Sequence, residues 1–130
     1  MADPQIAFPV EVIPNEASVF MRAHKTRIRD GIPTLSAFVP KGSGGLSVEW
    51  NKYATPEQAR SRAKVPHDNA IIAMGVASVR QVREGLDVEH VPLNENRAHS
   101  EINLPTDSVE QAQVRVLLSR IAMMILPLPC

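Results

Sequence analysis

The sequence predicts an α+β protein, in which a small, mainly antiparallel sheet packs against a C-terminal helix and two further short helices. Short segments of alternating apolar and polar residues recur along the chain, as in half-buried strands. The connections between them are too short for a regular doubly wound parallel sheet. A long segment near the carboxyl end repeats apolar residues at helical spacing.

The composition limits the chain to one domain with an aliphatic core. A chain of 130 residues fits a single domain, and we expect an extended arm over residues 1–16 followed by the domain at 17–130. Aromatic residues make up only 4% of the chain, so the core must rest on aliphatic residues and methionine. Fourteen basic and fourteen acidic residues cancel, without the basic excess typical of a nucleic-acid binder.

Cysteine content and hydropathy count against disulfide-rich, cysteine-rich zinc-binding, secreted and membrane-spanning classes of protein. Cys130 has no second cysteine in the sequence, so neither a disulfide framework nor a cysteine-rich zinc site is expected. We predict no cofactor and no metal ion. The first residues lack the basic start and apolar run of a signal peptide, and IAMMILPLP is shorter than the roughly 20 residues that span a bilayer. These features favour a cytoplasmic protein.

Proline positions and the alternation of apolar and polar residues predict the local structure of the first third of the chain. Prolines at positions 4, 9 and 14 predict the extended arm, because proline fixes φ and donates no hydrogen bond. ASVFMRAHKTRI, from residue 17, alternates as a strand does, and Asp30-Gly31 is a turn signal. TLSAFVP, from residue 34, is predicted as a second short strand.

The glycine-rich KGSGG at residues 41–45 is interpreted as a hairpin loop. A phosphate-binding loop would need a Gly-Lys-Ser/Thr run that opens a helix, whereas the strand LSVEW follows here.

The middle of the chain predicts two short helices around a buried strand. Thr55, Pro56 and Gln58 form the start of the first helix, with a capping box between Thr55 and Gln58. AIIAMGV is expected to be the central buried strand. In ASVRQVREG, Ser78 is the expected N-cap and Gly85 the C′ residue. LDVEHVPL and AHSEINL are predicted as two further strands.

The C-terminal helix is predicted to begin at a capping pair, Asp107 and Glu110, and to stop at Pro127. Its apolar stripe contains Val109, Ala112, Val116, Leu117, Ile121 and Met124. Leu118, Ala122 and Ile125 widen this surface. Such a helix either packs on the sheet alone or buries its end in another chain, so a protein partner or a homo-oligomer is expected through this helix and the proline-rich arm.

The histidines provide one set of candidate site residues. His24-Lys25-Thr26 resembles half of the two-histidine phosphoesterase signature, in which two imidazoles flank one phosphate. The second candidate, starting at His99, lacks the hydroxyl residue two places on. A lone histidine in a strand is more often a hydrogen-bonded, half-buried side chain than a base or a metal ligand.

A second set resembles the order of residues in ADP-ribosyltransferases: a basic residue, Arg22 or His24, then Ser47, then Glu101. The alternative for Glu49 and Glu101 is that both are exposed strand carboxylates. The candidate catalytic residues are therefore His24, Ser47, His99 and Glu101.

The polar stretch VPLNENRAHSEINLP, from residue 91, is interpreted first as a turn and second as a site. Asn94 and Asn96 are turn formers that bond their own backbone, and Glu95 and Arg97 are expected to be solvated.

Three segments of the chain share a wider pattern: SAFVPKGSGGLSVEW, TPEQAR and GVASVRQVREGLDVEHVPLNENRAHSEI. Together they resemble a group of small bacterial proteins with no established activity. The resemblance extends over residues 17–104. It implies a bacterial, cytoplasmic origin and assigns no catalytic residue.

The first functional hypothesis is a protein-interaction module or accessory subunit of a larger assembly. The alternative is a small enzyme acting on a nucleotide or phosphoester. DNA binding is less favoured, because no helix-turn-helix is evident and the basic residues at 22, 25, 27 and 29 are typical of solvated surface.

Overall fold

A computed structural model describes residues 8–40 and 45–129 of the chain. The strands are β1 (Ser18–His24), β2 (Ile28–Arg29), β3 (Ile32–Pro33), β4 (Gly45–Trp50), β5 (Asn69–Gly75), β6 (Val88–His90), β7 (His99–Asn103) and β8 (Met123–Leu126). The α-helices are α1 (Pro56–Ser61), α2 (Val76–Val82) and α3 (Ser108–Ile121). Single 3₁₀ turns occupy Lys25–Arg27, Leu35–Phe38 and Pro66–Asp68. The predicted α+β class is confirmed.

Six strands form one antiparallel sheet in the order β6-β7-β4-β1-β5-β8. β2 and β3 form a separate two-stranded hairpin. Its turn residues, Asp30 and Gly31, have φ values of 55° and 77°. A two-residue hairpin turn of this type requires positive φ at both positions, so the turn predicted at Asp30-Gly31 is confirmed.

Alternation in β1 separates the two faces of the sheet. Val19, Met21 and Ala23 lie in the main core, on the face covered by α2 and α3. Phe20 points to the opposite face, where it packs with Ala59 of α1 and Ile71 of β5. The α1 side of the sheet is therefore covered only in part.

The two short helices begin differently. At α1 the predicted capping box is confirmed, because Thr55 accepts from the Gln58 N–H at 3.1 Å and Gln58 accepts from the Thr55 N–H at 2.9 Å. At α2 the predicted caps are wrong. Gly75 is the N-cap, Ser78 lies inside the helix, and the helix ends at Val82. Gly85, with φ of 87°, instead serves a turn beyond the helix.

Two strand predictions need correction. TLSAFVP does not form a strand, because the Ala37 N–H bonds the Thr34 carbonyl in a 3₁₀ turn that places Phe38 in the main core. β5 is buried, as AIIAMGV predicts, but it lies second from an edge of the sheet. β1 and β4 occupy the centre.

The C-terminal helix has the predicted start and a different packed face and end. Asp107 accepts from the Glu110 N–H at 2.9 Å, which confirms the N-cap. The reciprocal bond of a capping box is not formed among the described residues, where the Glu110 carboxylate pairs with Arg83 instead. Val114 and Leu118 are the buried residues, whereas Val109 is 64% exposed, so the predicted stripe is wrong at its start. The helix ends at Ile121, and the next residues form β8. The open side of β5 provides backbone partners that a longer helix would leave unused.

The described part of the arm, residues 8–16, has no helix or strand and lies on the domain. Ile13 is buried in the main core, while Val10 and Val12 point outward. The remaining arm residues 1–7, residues 41–44 of the predicted glycine loop, and Cys130 lie outside the described residues. Within the described ranges, no helix has the length and apolar character needed to cross a membrane.

Candidate functional site

The uncovered part of the α1 side of the sheet is polar. In the register of β4 and β7, Ser47 lies opposite Glu101 and Glu49 lies opposite His99. Directly opposed residues of an antiparallel pair share a face. Three of the four predicted catalytic residues, Ser47, His99 and Glu101, therefore lie on one face of two neighbouring strands.

Glu49 is held between two arginines. The Arg22 Nη1 donates to Glu49 Oε2 at 2.8 Å, and the Arg62 Nη1 donates to Oε1. Arg22 also donates to the Ala59 carbonyl of α1 at 3.0 Å. Glu49 is only 3% exposed, so the expectation of an exposed carboxylate is wrong for this residue. A buried carboxylate needs such partners because desolvating an unpaired charge is costly.

An open cleft with a volume of about 650 Å³ lies beside this ion-pair cluster. It is bounded by the end of β1, by β4 at Ser47, by the segment after α1 and by the 3₁₀ turn at 35–38. Four basic side chains line it: Arg22, Arg27, Arg62 and Lys64. Among the described lining residues no carboxylate is present, so the walls of the cleft favour an anion.

The four predicted catalytic residues divide between the cleft and the open sheet face. His24 and Ser47 line the cleft, whereas His99 and Glu101 do not. The His99 Nδ1 donates to the Val91 carbonyl at 2.9 Å. The Glu101 carboxylate lies over Gly45, where an added Cβ would come within 2.5 Å of Oε1.

His24 makes a local contact with the threonine of its motif. Its Nδ1 accepts from the Thr26 N–H at 3.2 Å and lies 2.9 Å from the Thr26 hydroxyl. Because His99 lies outside the cleft, the described residues do not place two imidazoles on opposite sides of one phosphate there.

His90 is a buried histidine that no motif in the sequence indicates. The Glu11 N–H donates to its Nδ1 at 3.0 Å, and its Nε2 donates to the Arg97 carbonyl at 2.7 Å. This pair of bonds requires the neutral tautomer with the proton on Nε2. The alternation of LDVEHVPL could have indicated this burial, since it places His90 on the same face as Val88.

The arm is fastened to the domain through Glu11. Its carboxylate accepts from Lys52 Nζ at 2.7 Å and from the Tyr53 hydroxyl. These hydrogen bonds, that of Lys52 first, lower the pKa of Glu11 from 4.5 to about 2. Arg97 lies 3.6 Å from the same carboxylate, with its guanidinium 4.1 Å from the Tyr53 ring centroid. Its side chain is 39% exposed, so Arg97 is solvated only in part.

The polar stretch from residue 91 forms the predicted turn. Leu93 and Asn96 exchange backbone hydrogen bonds of 3.0 Å in both directions. The Asn96 side chain accepts from the Ala98 N–H at 3.1 Å. The turn explains the density of polar residues in this stretch.

Across the described residues, no group of three or more His, Cys, Asp or Glu side chains is placed to bind a metal ion.

Comparison of the chain with protein-family models, curated proteins and solved structures gives no match.

Proposed function

We propose that the chain is a protein-interaction module, acting as an accessory subunit of a larger assembly, and that β8 is its docking edge. The observation that carries this proposal is the composition and position of the strand. β8 is last in the order of the six-stranded sheet, and it exposes 67% of Met123 and 36% of Ile125.

An edge strand presents backbone N–H and C=O groups that can pair with another strand. Natural edge strands commonly carry charges that prevent such pairing, but residues 123–126 have no charged side chain. The edge is limited by the shortness of the strand, by the following Pro127 and Pro129, and by Arg60, whose Nη2 donates to the Leu126 carbonyl at 2.9 Å. An extended segment of a partner would pair with this backbone and cover Met123 and Ile125.

The arm supplies a second exposed apolar surface. Ile13 and the Glu11 contacts fix the arm on the domain, and Val10 and Val12 are left facing outward. Because the arm is held in place, binding through these valines does not require ordering a free segment. The resemblance over residues 17–104 supports placing the module in the bacterial cytoplasm.

The alternative, a small enzyme acting on a nucleotide or phosphoester, has weaker support. It requires His24, Ser47, His99 and Glu101 to converge on one concave site. Only His24 and Ser47 line the cleft, and each lies there without a carboxylate partner among the described lining residues.

Sedimentation velocity of the purified full chain tests the proposal, with Met123→Lys as the variant and Val109→Lys as its control. Both positions are exposed apolar sites, and Val109 lies on α3, away from β8. We expect the wild type and Val109→Lys to self-associate or to lose solubility without a partner, and Met123→Lys to remain monomeric and soluble. Equally soluble monomers for all three proteins would contradict the proposal.

A further inference from the structure

We propose that the basic cleft beside the Glu49 ion-pair cluster binds a compact ligand through a pyrophosphate group. This site is separate from the β8 edge, and the proposal does not depend on the interaction function.

The charge balance of the cleft favours a multiply charged anion. Glu49 compensates part of the charge of Arg22 and Arg62. Arg27 forms no ion pair among the described residues, where its Nη1 donates to the Ser36 carbonyl. Lys64 has neither an ion pair nor a hydrogen bond within the described part of the chain. The walls therefore retain net positive charge.

Glu49 also orients the two arginines. Each guanidinium uses Nη1 for the carboxylate, and the side chains of Arg22 and Arg62 remain 34% and 31% exposed. No hydrogen bond within the described residues occupies the Nε or Nη2 groups of either arginine. An arginine fixed in this way loses less side-chain entropy when it binds phosphate oxygens, for which its planar donor array is well suited.

The size and lining of the cleft restrict the ligand further. A volume of about 650 Å³ falls in the range of small-molecule sites. No phenylalanine, tyrosine or tryptophan is among the described lining residues, so the only ring that they offer for stacking a base is the imidazole of His24, whose Nδ1 already contacts Thr26. The hydroxyls of Thr26, Ser36 and Ser47 can donate to phosphate oxygens. This chemistry recognises linked phosphates rather than a nucleobase.

Isothermal titration of the full chain with inorganic pyrophosphate, with ADP and with a 20-nucleotide single-stranded DNA tests the proposal. The variant is Lys64→Glu, and the matched control is Arg120→Glu. Arg120 is also an exposed basic residue without a partner among the described residues, and it does not line the cleft. Neither substitution removes a contact that the described structure uses, so both variants should fold, as circular dichroism would verify.

We expect saturable one-to-one binding of pyrophosphate, weakened about tenfold or more by Lys64→Glu and unchanged by Arg120→Glu. Tighter binding of ADP than of pyrophosphate would identify a nucleotide as the source of the group, and equal or weaker binding would favour the free anion. The proposal is overturned if neither small molecule binds, if both variants bind with the same affinity, or if only the oligonucleotide binds.

Discussion

The Nη1 of Arg22 on β1 donates a hydrogen bond of 2.8 Å to Oε2 of Glu49 on the neighbouring strand β4. Arg62, immediately after α1, completes the cluster from the other side of the carboxylate. One buried charge thus connects two central strands to the only α-helix on this face of the sheet within the described residues. The cluster is therefore expected to contribute to stability as well as to the electrostatics of the cleft.

Replacing Glu49 with Gln should destabilise the protein by about 1–3 kcal/mol, because two partly buried guanidinium groups would lose their counter-charge. The exposed part of each arginine keeps the expected loss below that of a fully buried pair. Urea unfolding monitored by tryptophan fluorescence measures the change. Glu101→Gln is the control, since Glu101 lies on the same face and has no ion pair among the described residues. A loss of similar size in both variants would contradict the role assigned to the cluster.

The contact between Glu11 and Lys52 should make stability depend on pH in the acidic range. The pKa of Glu11 is lowered from 4.5 to about 2, so its ionised form favours the folded state. This contribution is fully present above pH 4.5 and is lost as the pH falls toward 2. The difference in unfolding free energy between the wild type and Glu11→Gln should therefore shrink over this interval.

Chemical denaturation at a series of pH values from 7 to 2 provides that comparison. Glu16→Gln is the control, because Glu16 is exposed and has no hydrogen bond or ion pair among the described residues. We expect it to match the wild type throughout. A Glu11→Gln difference that stays constant down to pH 2 would contradict the assigned contact.

Two valines of α3 distinguish the observed packing of the helix from the stripe that its sequence predicts. Val114 is 1% exposed and Val109 is 64% exposed. Val114→Ala should lower the unfolding free energy by about 2 kcal/mol through lost burial and the cavity that remains. Val109→Ala should be neutral or slightly stabilising, because alanine has the higher helix propensity. Equal losses at the two positions would show that a different face of α3 is packed.

The capping box of α1 should be worth about 1 kcal/mol. Thr55→Ala removes the acceptor of the Gln58 N–H and leaves the start of this six-residue helix without its side-chain cap. Thermal unfolding of Thr55→Ala measures the loss. Thr106→Ala is the control, since Thr106 is exposed and makes no side-chain hydrogen bond within the described structure. An unchanged midpoint for Thr55→Ala would mean that α1 is stabilised by packing alone.

Much of the architecture could be predicted because local patterns and tertiary packing agree. Alternation identified β1, β4, β6 and β7, and capping residues identified the starts of α1 and α3. The predictions fail where contacts with residues distant in the sequence determine the local structure. Residues 123–126 continue the helical apolar pattern, but pairing with β5 makes them a strand. Phe38 enters the core through a turn that strand alternation does not reveal.

The site was less predictable, since it depends on register and on charges far apart in sequence. Position in the sequence identified His24 and Ser47, which line the cleft, but did not show that His99 and Glu101 lie outside it. The residues next to Glu49 in the sequence do not indicate that Arg62, thirteen residues later, would form an ion pair with its carboxylate in the folded protein. A carboxylate in a strand is usually exposed, so only the folded arrangement identifies this one as internal.

Site-specific photo-crosslinking in the native host tests the docking edge most directly. A benzoylphenylalanine placed at Ile125 on β8 is compared with the same group at Val109, which is exposed on α3. We expect a discrete crosslinked protein, either a partner or a second copy of the chain, from position 125 and not from position 109. The absence of a crosslink from both positions, or the same products from both, would contradict it.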